Sequence, residues 1–471
     1  MSMHIKNNMD SLRIQNILTA NTKKTQSQLG KISSGLKING AADDASGYSI
    51  SEGMRVQIRA LSQAEQNAQN GTSMMKVAEG AVSSTVDIIR TMKEKAINAA
   101  NDTNTDADRQ IIQKEFNQMI DQIDDNAHVT YNGKYLIDGS KNHAIKATAT
   151  VFANDYLSEP DNLPPNGRKL TDFTDKNGEN LGILSSDKIT ISVVQNGKTY
   201  TRTYDVAENA LANMFSGMGG ILDKDGKKVA NSVWEDIKQD GFIGHLNFFD
   251  NQEYYGYDGF DNKVSPPSGK KTTTITVGIA NFGNPPTLDE AECGLKQQLG
   301  GITFSITDRD GKVKTSTNAK LNQFHEVLRA QNASEDNALV LQIGSKANQS
   351  IKVGLTDMRA HALALRGSDG SYVSVSNQAH ANAAIEVLDN ALSKALNQQT
   401  TIGAIQSRLS YTLDNIITAR TNIQSAESVI RDADMAKEMT SYTRENLLSQ
   451  AAQSMLAQSN QQSSNVLSLL Q

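Results

Sequence analysis

His325-Glu326-Val327-Leu328-Arg329 comes within one residue of the zinc-binding pattern H-E-x-x-H. That pattern needs two imidazoles at i and i+4 on one helix face, so that both can ligate the ion. Here the fifth residue is Arg329, a cation that would repel zinc, and the run reads as the solvated face of a helix. Asp223-Lys224-Asp225-Gly226 and Asp308-Arg309-Asp310-Gly311 faintly resemble calcium loops. A calcium loop of that type closes with a bidentate Glu at its twelfth position. The corresponding residues are Trp234 and Ala319, so both runs read as turns. Gly217-Met218-Gly219-Gly220 lacks the last glycine of a dinucleotide loop, and no phosphate loop is present. Tyr254, Tyr255, Tyr257 and Phe260 form an aromatic cluster that suits packing, or less well a sugar or a partner. The seven histidines are scattered and suggest no Ser/His/Asp set. No enzyme is expected, and no catalytic, cofactor or metal residue is assigned.

With no chemistry to position, the elements themselves become informative. The chain has 471 residues, of which 38% are hydrophobic and 5% aromatic. That is little material for a compact core and suits a long helical assembly better. The net charge of −6 offers no global attraction to nucleic acid or an anionic membrane. The single cysteine, Cys293, excludes an intrachain disulfide. No stretch approaches the roughly 18 apolar residues of a membrane span. The first residues, MSMHIKNNMDSLRIQ, have no apolar signal core. This fits a cytoplasmic protein, or one exported by a route that cleaves nothing.

All seven prolines lie between Pro160 and Pro286. Proline breaks helix interiors, so its absence from both flanks suits long helices. Aromatics follow the same division, with seventeen in 141–370 and seven in 1–140 and 371–471 together. The fold class is therefore mainly α ends with a β-rich middle: long coiled-coil or bundle domains built from both termini, and one or more α+β domains between them.

Heptad spacing supports the helices. Ile402, Ile405, Leu409, Thr412, Ile416, Ala419, Ile423, Ala426 and Ile430 step by three and four without a break. A second seam runs Leu61, Ala64, Ala68, Gly71, Met75, Ala78, Val82, Val86, Ile89, and a third Ile112, Phe116, Met119, Ile123. Leu29, Ile32 and Leu36 mark the first arm. A helix over 54–100 would be about 70 Å long. Small seam residues bury little area per contact, which hints that many subunit contacts add up. Residues 449–465 are polar and uncharged and the first arm is rich in Asn, Gln, Ser and Thr, so both are expected to order only when a partner arrives. In the middle, 189–204 alternates around Asn196-Gly197, a type I′ hairpin signature, and 303–315 does the same around Asp310-Gly311. Asn132-Gly133 and Asp138-Gly139 predict further turns.

The run ISSGLKINGAADDASGYSISEGMRVQIRAL at 32–61 resembles the amino-terminal signature of bacterial flagellins. The other end agrees, with IGAIQSRL at 402–409, SVIRDADMAKEM at 428–439, LLSQAAQSMLAQSNQ at 447–461 and NVLSLLQ at 465–471. LQIGSKANQSIKVGL at 341–355 is similar to the family's return into the inner domains. The resemblance covers roughly 1–150 and 336–471. It implies a structural subunit that polymerises into the flagellar filament, with a hook-filament junction protein of the same class as the alternative. It divides the chain into inner-core helices at 1–42 and 430–471, rod halves at 43–151 and 336–429, and a surface-exposed β-rich region at 152–335. It implies extracellular placement after type III export, no cofactor and no membrane insertion. The implied partners are other copies of the chain, a secretion chaperone around 430–471, the filament cap and the hook-associated junction proteins.

Within that resemblance, Leu29, Ile32, Leu36, Ile423, Ile430, Leu447 and Met455 are expected to pack the core. Asp43, Asp44, Arg55 and Arg431 are expected to form subunit or loop ion pairs. Flagellins detected by the innate Toll-like receptor carry an Arg and, four residues on, a Leu. The aligned positions here are Thr91 and Lys95, while the family's acidic contact is kept as Glu115. Weakened recognition is the implied outcome.

Overall fold

The structure is a computed structural model of the whole chain, and it describes residues 8–145, 147–148, 150–154, 156–158, 170–175, 178–206, 294–295 and 298–469, with short strand segments between 221 and 277. Six helices are used below: α1 Met9–Ser34, α2 Ala45–Ala100, α3 Asp106–Ala127, α4 Thr315–Leu321, α5 Gln378–Arg431 and α6 Met435–Leu469. Two compact units form, one from 1–69, 342–350 and 410–471, the other from 70–341 and 351–409. The expected boundaries near 42 and 429 fall inside the first unit, and those near 151 and 335 inside the second.

In the first unit, the side chain of Asn8 accepts from the Ser11 N–H and starts α1. Gly35 ends it in the left-handed region, at φ 73°, donating back to the Lys31 carbonyl. Asp434 caps α6, its carboxylate accepting from the N–H groups of Ala436 and Lys437. α1 and α6 lie side by side and antiparallel. Ser11 Oγ donates to Asn460 Oδ1 at one end, and Ala433 N–H to the Gly35 carbonyl at the other. The ends, expected to order only on assembly, are thus helical and paired within one chain, because each covers part of the other's polar face. Leu61, Ala64 and Ile416 form a small buried cluster joined by Ile343, Ala419 and Ile423.

The second unit holds the larger core. The seam residues Gly71 to Ile89 are fully or nearly fully buried in it, Met75, Ala78, Val82 and Ile89 among them. On α3 the buried stripe is Phe116, Ile120, Ile123 and Ala127, while Ile112 and Met119 are half-buried. The 3.6-residue period turns the buried face by one position relative to the expected heptad. Arg109 stops α2: its guanidinium donates to the carbonyls of Ala99 and Asn101, satisfying acceptors that a helix end leaves without partners. Thr105 and Asp108 form a capping box at the start of α3.

A three-stranded antiparallel sheet belongs to this unit, with Lys188–Gln195 between Lys198–Asp205 and Leu299–Thr307. Asn196 and Gly197 turn the hairpin at φ 50° and 72°, both left-handed, as a type I′ turn requires. The run 303–315 differs from expectation. After Thr307 only a single bridge to Val313 forms, and the chain enters α4. Asn318 and Asn322 side chains hydrogen-bond the backbone of Ile306 and Phe304 on the strand's free edge. They occupy groups that an unprotected edge would offer to another chain.

Candidate assembly surfaces

The α1–α6 pair buries polar residues and exposes part of its apolar surface. The residues buried between the helices are polar or small: Asn21, Glu445 and Ala452. Gln28 Oε1 and Glu445 Oε2 are buried there without a hydrogen-bond partner. Many large apolar side chains face away, although Ile14, Leu18 and Leu456 are half-buried. Leu29 is 52% exposed, Leu447 60% and Met455 59%. Met9, Leu12, Ile17, Met439 and Leu448 are also exposed. Within one chain, then, Leu29, Leu447 and Met455 do not pack a core, since the antiparallel register turns them outward. Ile32, Leu36 and Ile430 are half-buried, and Leu36 bridges to Asp432. Only Ile423 joins a buried cluster.

Of the residues expected in ion pairs, Arg55 and Arg431 are paired within the chain. Arg55 and Arg431 both converge on Glu52, at 3.2 Å and 2.6 Å. Glu52 was not anticipated, although its spacing of three from Arg55 was a signal that could have found it. Arg431 is buried, its guanidinium over the Tyr48 ring, and its carbonyl accepts from Lys37 N–H. The two arginines hold the Glu52 carboxyl below its ordinary range, the Arg431 hydrogen bond contributing most. Asp43 and Asp44 pair with no cation among the described residues. Asp43 accepts from the N–H groups of Asn39 and Gly40, and Asp44 from those of Ser46 and Gly47. Both are turn formers that lead the chain into α2.

On the second unit, Thr91 is exposed and its hydroxyl donates to the Asp87 carbonyl. Lys95 Nζ lies 2.9 Å from Glu115 Oε2. Lys95 and Glu115, both expected at the receptor motif, are therefore engaged with each other. Arg90 turns to Asp87 instead.

The near-zinc run is also corrected. Phe324–Leu328 is a β-strand, not a helix, paired with Val151–Asn154. In a strand, residues at i and i+4 lie about 13 Å apart rather than one turn apart. Among the described residues no group of three His, Cys, Asp or Glu could hold a metal ion. Asp308–Gly311 is a turn, with Gly311 N–H donating to the Asp308 carbonyl. Asp223, Gly217–Gly220, Trp234, Tyr254, Tyr255, Phe260 and Cys293 lie outside the described residues, as does the side chain of Tyr257. No described helix is long and apolar enough to cross a membrane.

The paired terminal helices thus present apolar side chains outward along both their lengths. Family models agree at both ends: the bacterial flagellin N-terminal helical region matches residues 5–142, and the C-terminal helical region matches 385–470. A flagellin of Clostridium tyrobutyricum is 32% identical, covering 96% of this chain and 97% of its own. The flagellin of Bacillus subtilis is 27% identical over 99% of this chain and all of its own. A solved flagellar junction protein from Legionella pneumophila is 13% identical at a TM-score of 0.29, covering 76% of this chain and 99% of its own. The chain belongs to the bacterial flagellin family. It is a non-enzymatic subunit of the extracellular flagellar filament, and the junction-protein alternative has less support.

Proposed function

We propose that the outward apolar faces of α1 and α6 are the surfaces through which neighbouring copies pack as the filament grows. The supporting observation is the reversal described above: Leu29, Leu447 and Met455 in water, Asn21 and Glu445 covered. Exposed apolar side chains along paired helices mark a surface that a partner covers. Ile32, Leu36, Ile423 and Ile430 back this face from within the chain. The Glu52–Arg55–Arg431 cluster, with Asp43 and Asp44 shaping the preceding loop, fixes the corner between α5 and α6. Contacts repeated head to tail generate an open filament. In this reading 1–42 and 430–471 build the inner layer, 43–151 and 336–429 the surrounding layer, and 152–335 the outer surface.

Export through the flagellar type III route, a secretion chaperone holding 430–471, and contacts with the filament cap and hook-associated junction proteins complete the proposal. Innate Toll-like receptor signalling is weakened at Thr91 and Lys95. Support comes from the Lys95–Glu115 ion pair, which places an ammonium where an apolar anchor would sit. Assembly is tested with Leu447→Ser and Met455→Ser together, followed by seeded polymerisation and electron microscopy. Filaments should shorten or vanish while the monomer's circular dichroism stays unchanged. Filaments of normal length and yield would refute the surface. Thr91→Arg with Lys95→Leu should raise receptor reporter signalling, and an unmodified subunit already signalling as strongly would refute that part.

A further inference from the structure

Among the described residues, the strand Leu299–Thr307 pairs with Lys188–Gln195 on one side only and forms an edge of its sheet. Within it, Ile302–Thr307 reads Ile-Thr-Phe-Ser-Ile-Thr, a run with no charge, proline or glycine. Short runs of this kind, rich in β-branched and aromatic residues, stack on copies of themselves. Ile302, Phe304 and Ile306 are buried in the core, while Thr303, Ser305 and Thr307 are half-buried on the other face. A second copy laid antiparallel along the edge would continue both faces, apolar beside apolar and hydroxyl beside hydroxyl.

Side-chain amides occupy that edge instead. Phe304 N–H donates to Asn322 Oδ1 at 2.6 Å, and Asn322 Nδ2 donates back to the Phe304 carbonyl at 2.7 Å. Ile306 N–H donates to Asn318 Oδ1 at 2.7 Å, and Asn318 Nδ2 donates back to the Ile306 carbonyl at 3.3 Å. Each asparagine supplies one acceptor and one donor, as a residue of a neighbouring antiparallel strand does. Spacing explains the fit. Residues four apart on a helix are separated by about 6 Å along its axis, and residues two apart on a strand by about 6.7 Å. Asn390 of α5 adds a rung, donating to the Gly300 carbonyl at 2.9 Å. The guard itself is slight. α4 has seven residues, and Lys314 before it gives no side-chain cap. Helices this short do not hold without tertiary contacts. Besides the asparagines, α4 is held by buried Thr317 and Leu321 and by the Lys320–Asp175 ion pair at 2.9 Å.

We propose that the free edge of Leu299–Thr307 is a pairing surface for the same strand of a second copy, and that α4 keeps it closed with amides that stand in for that strand. The partner is a second copy because the uncharged, alternating pattern complements itself in antiparallel register. No residue of α1 or α6 takes part, so the pairing is independent of the role proposed for those helices.

The test replaces Asn318 and Asn322 together by Ala in the full monomeric chain. The probe is a fluorescein-labelled peptide of sequence GITFSIT, residues 301–307, with a two-lysine tail for solubility, read by fluorescence anisotropy. Sedimentation velocity reports the state of the chain. The double variant should bind the peptide at least about tenfold tighter than the unmodified chain, the scale of two or more hydrogen bonds regained. It should also dimerise at concentrations where the unmodified chain is monomeric. Ser305→Lys in the same background should abolish the dimer, because like charges on paired strands repel. Should the double variant fail to fold, Asn322→Ala alone, which frees only the Phe304 rung, decides by the same two measurements. Equal peptide binding by variant and unmodified chain overturns the proposal. So does a variant that stays monomeric, or a dimer that Ser305→Lys leaves intact.

Discussion

Replacing Glu386 by Gln should make the protein more stable at neutral pH and leave it unchanged in acid. Glu386 lies on α5 in the second unit, three residues before Asp389, and it is packed where Gly301 of the sheet approaches its side chain. Lys93 of α2, whose charge also acts on Glu386, pairs with Asp389. Glu386 is left with burial and a like charge, which push its carboxyl up to about 7 from 4.5. In the unfolded chain the proton leaves near 4.5, while the folded chain keeps it until about pH 7. Between those values the folded state binds more protons, so stability falls as pH rises. At roughly 1.4 kcal/mol per pH unit, the loss is on the order of 3 kcal/mol, complete above about pH 7. Glutamine mimics the neutral acid and has no proton to lose. Urea unfolding of the monomer, repeated across pH, should give a Glu386→Gln minus wild-type difference near zero below about pH 4.5. That difference should grow to about 3 kcal/mol above pH 7. Asp389→Asn should free Lys93 and narrow the window. Parallel pH profiles for Glu386→Gln and wild type would refute the reasoning.

Phe116→Ala should destabilise by about 3–5 kcal/mol, because its ring is fully buried on α3. The urea midpoint checks this, and Ile112→Ala, on the half-buried flank, should cost less. Gly197→Ala should cost about 1–3 kcal/mol or more, since Gly197 has φ 72° and a Cβ would stand 2.6 Å from the Ser371 carbonyl oxygen. Gly133→Ala, at φ 72° but in open space, should cost less than Gly197→Ala in the same melt.

Much of the fold was legible because it rests on local rules. Long proline-free stretches with apolar residues every three or four positions became α2, α3 and α5, and the Leu61–Ile89 seam was buried position by position. Asn196-Gly197 specified its hairpin because both residues tolerate the left-handed backbone. The motifs at the two ends carried the family. What the tertiary structure decided was which neighbour each side chain meets. The antiparallel register of α1 and α6 put Leu29, Leu447 and Met455 outside and Asn21 and Glu445 inside, which heptad counting along single helices could not reveal. His325–Arg329 has helix-like spacing, yet pairing with Val151–Asn154 made His325–Leu328 part of a strand. Sheet pairing depends on partners more than 150 residues away, so no local pattern reports it. Likewise, Glu52 gathers Arg55 from its own helix and Arg431 from 379 residues along the chain. Charge alone indicates that a residue needs a partner; only the folded chain chooses which one it gets.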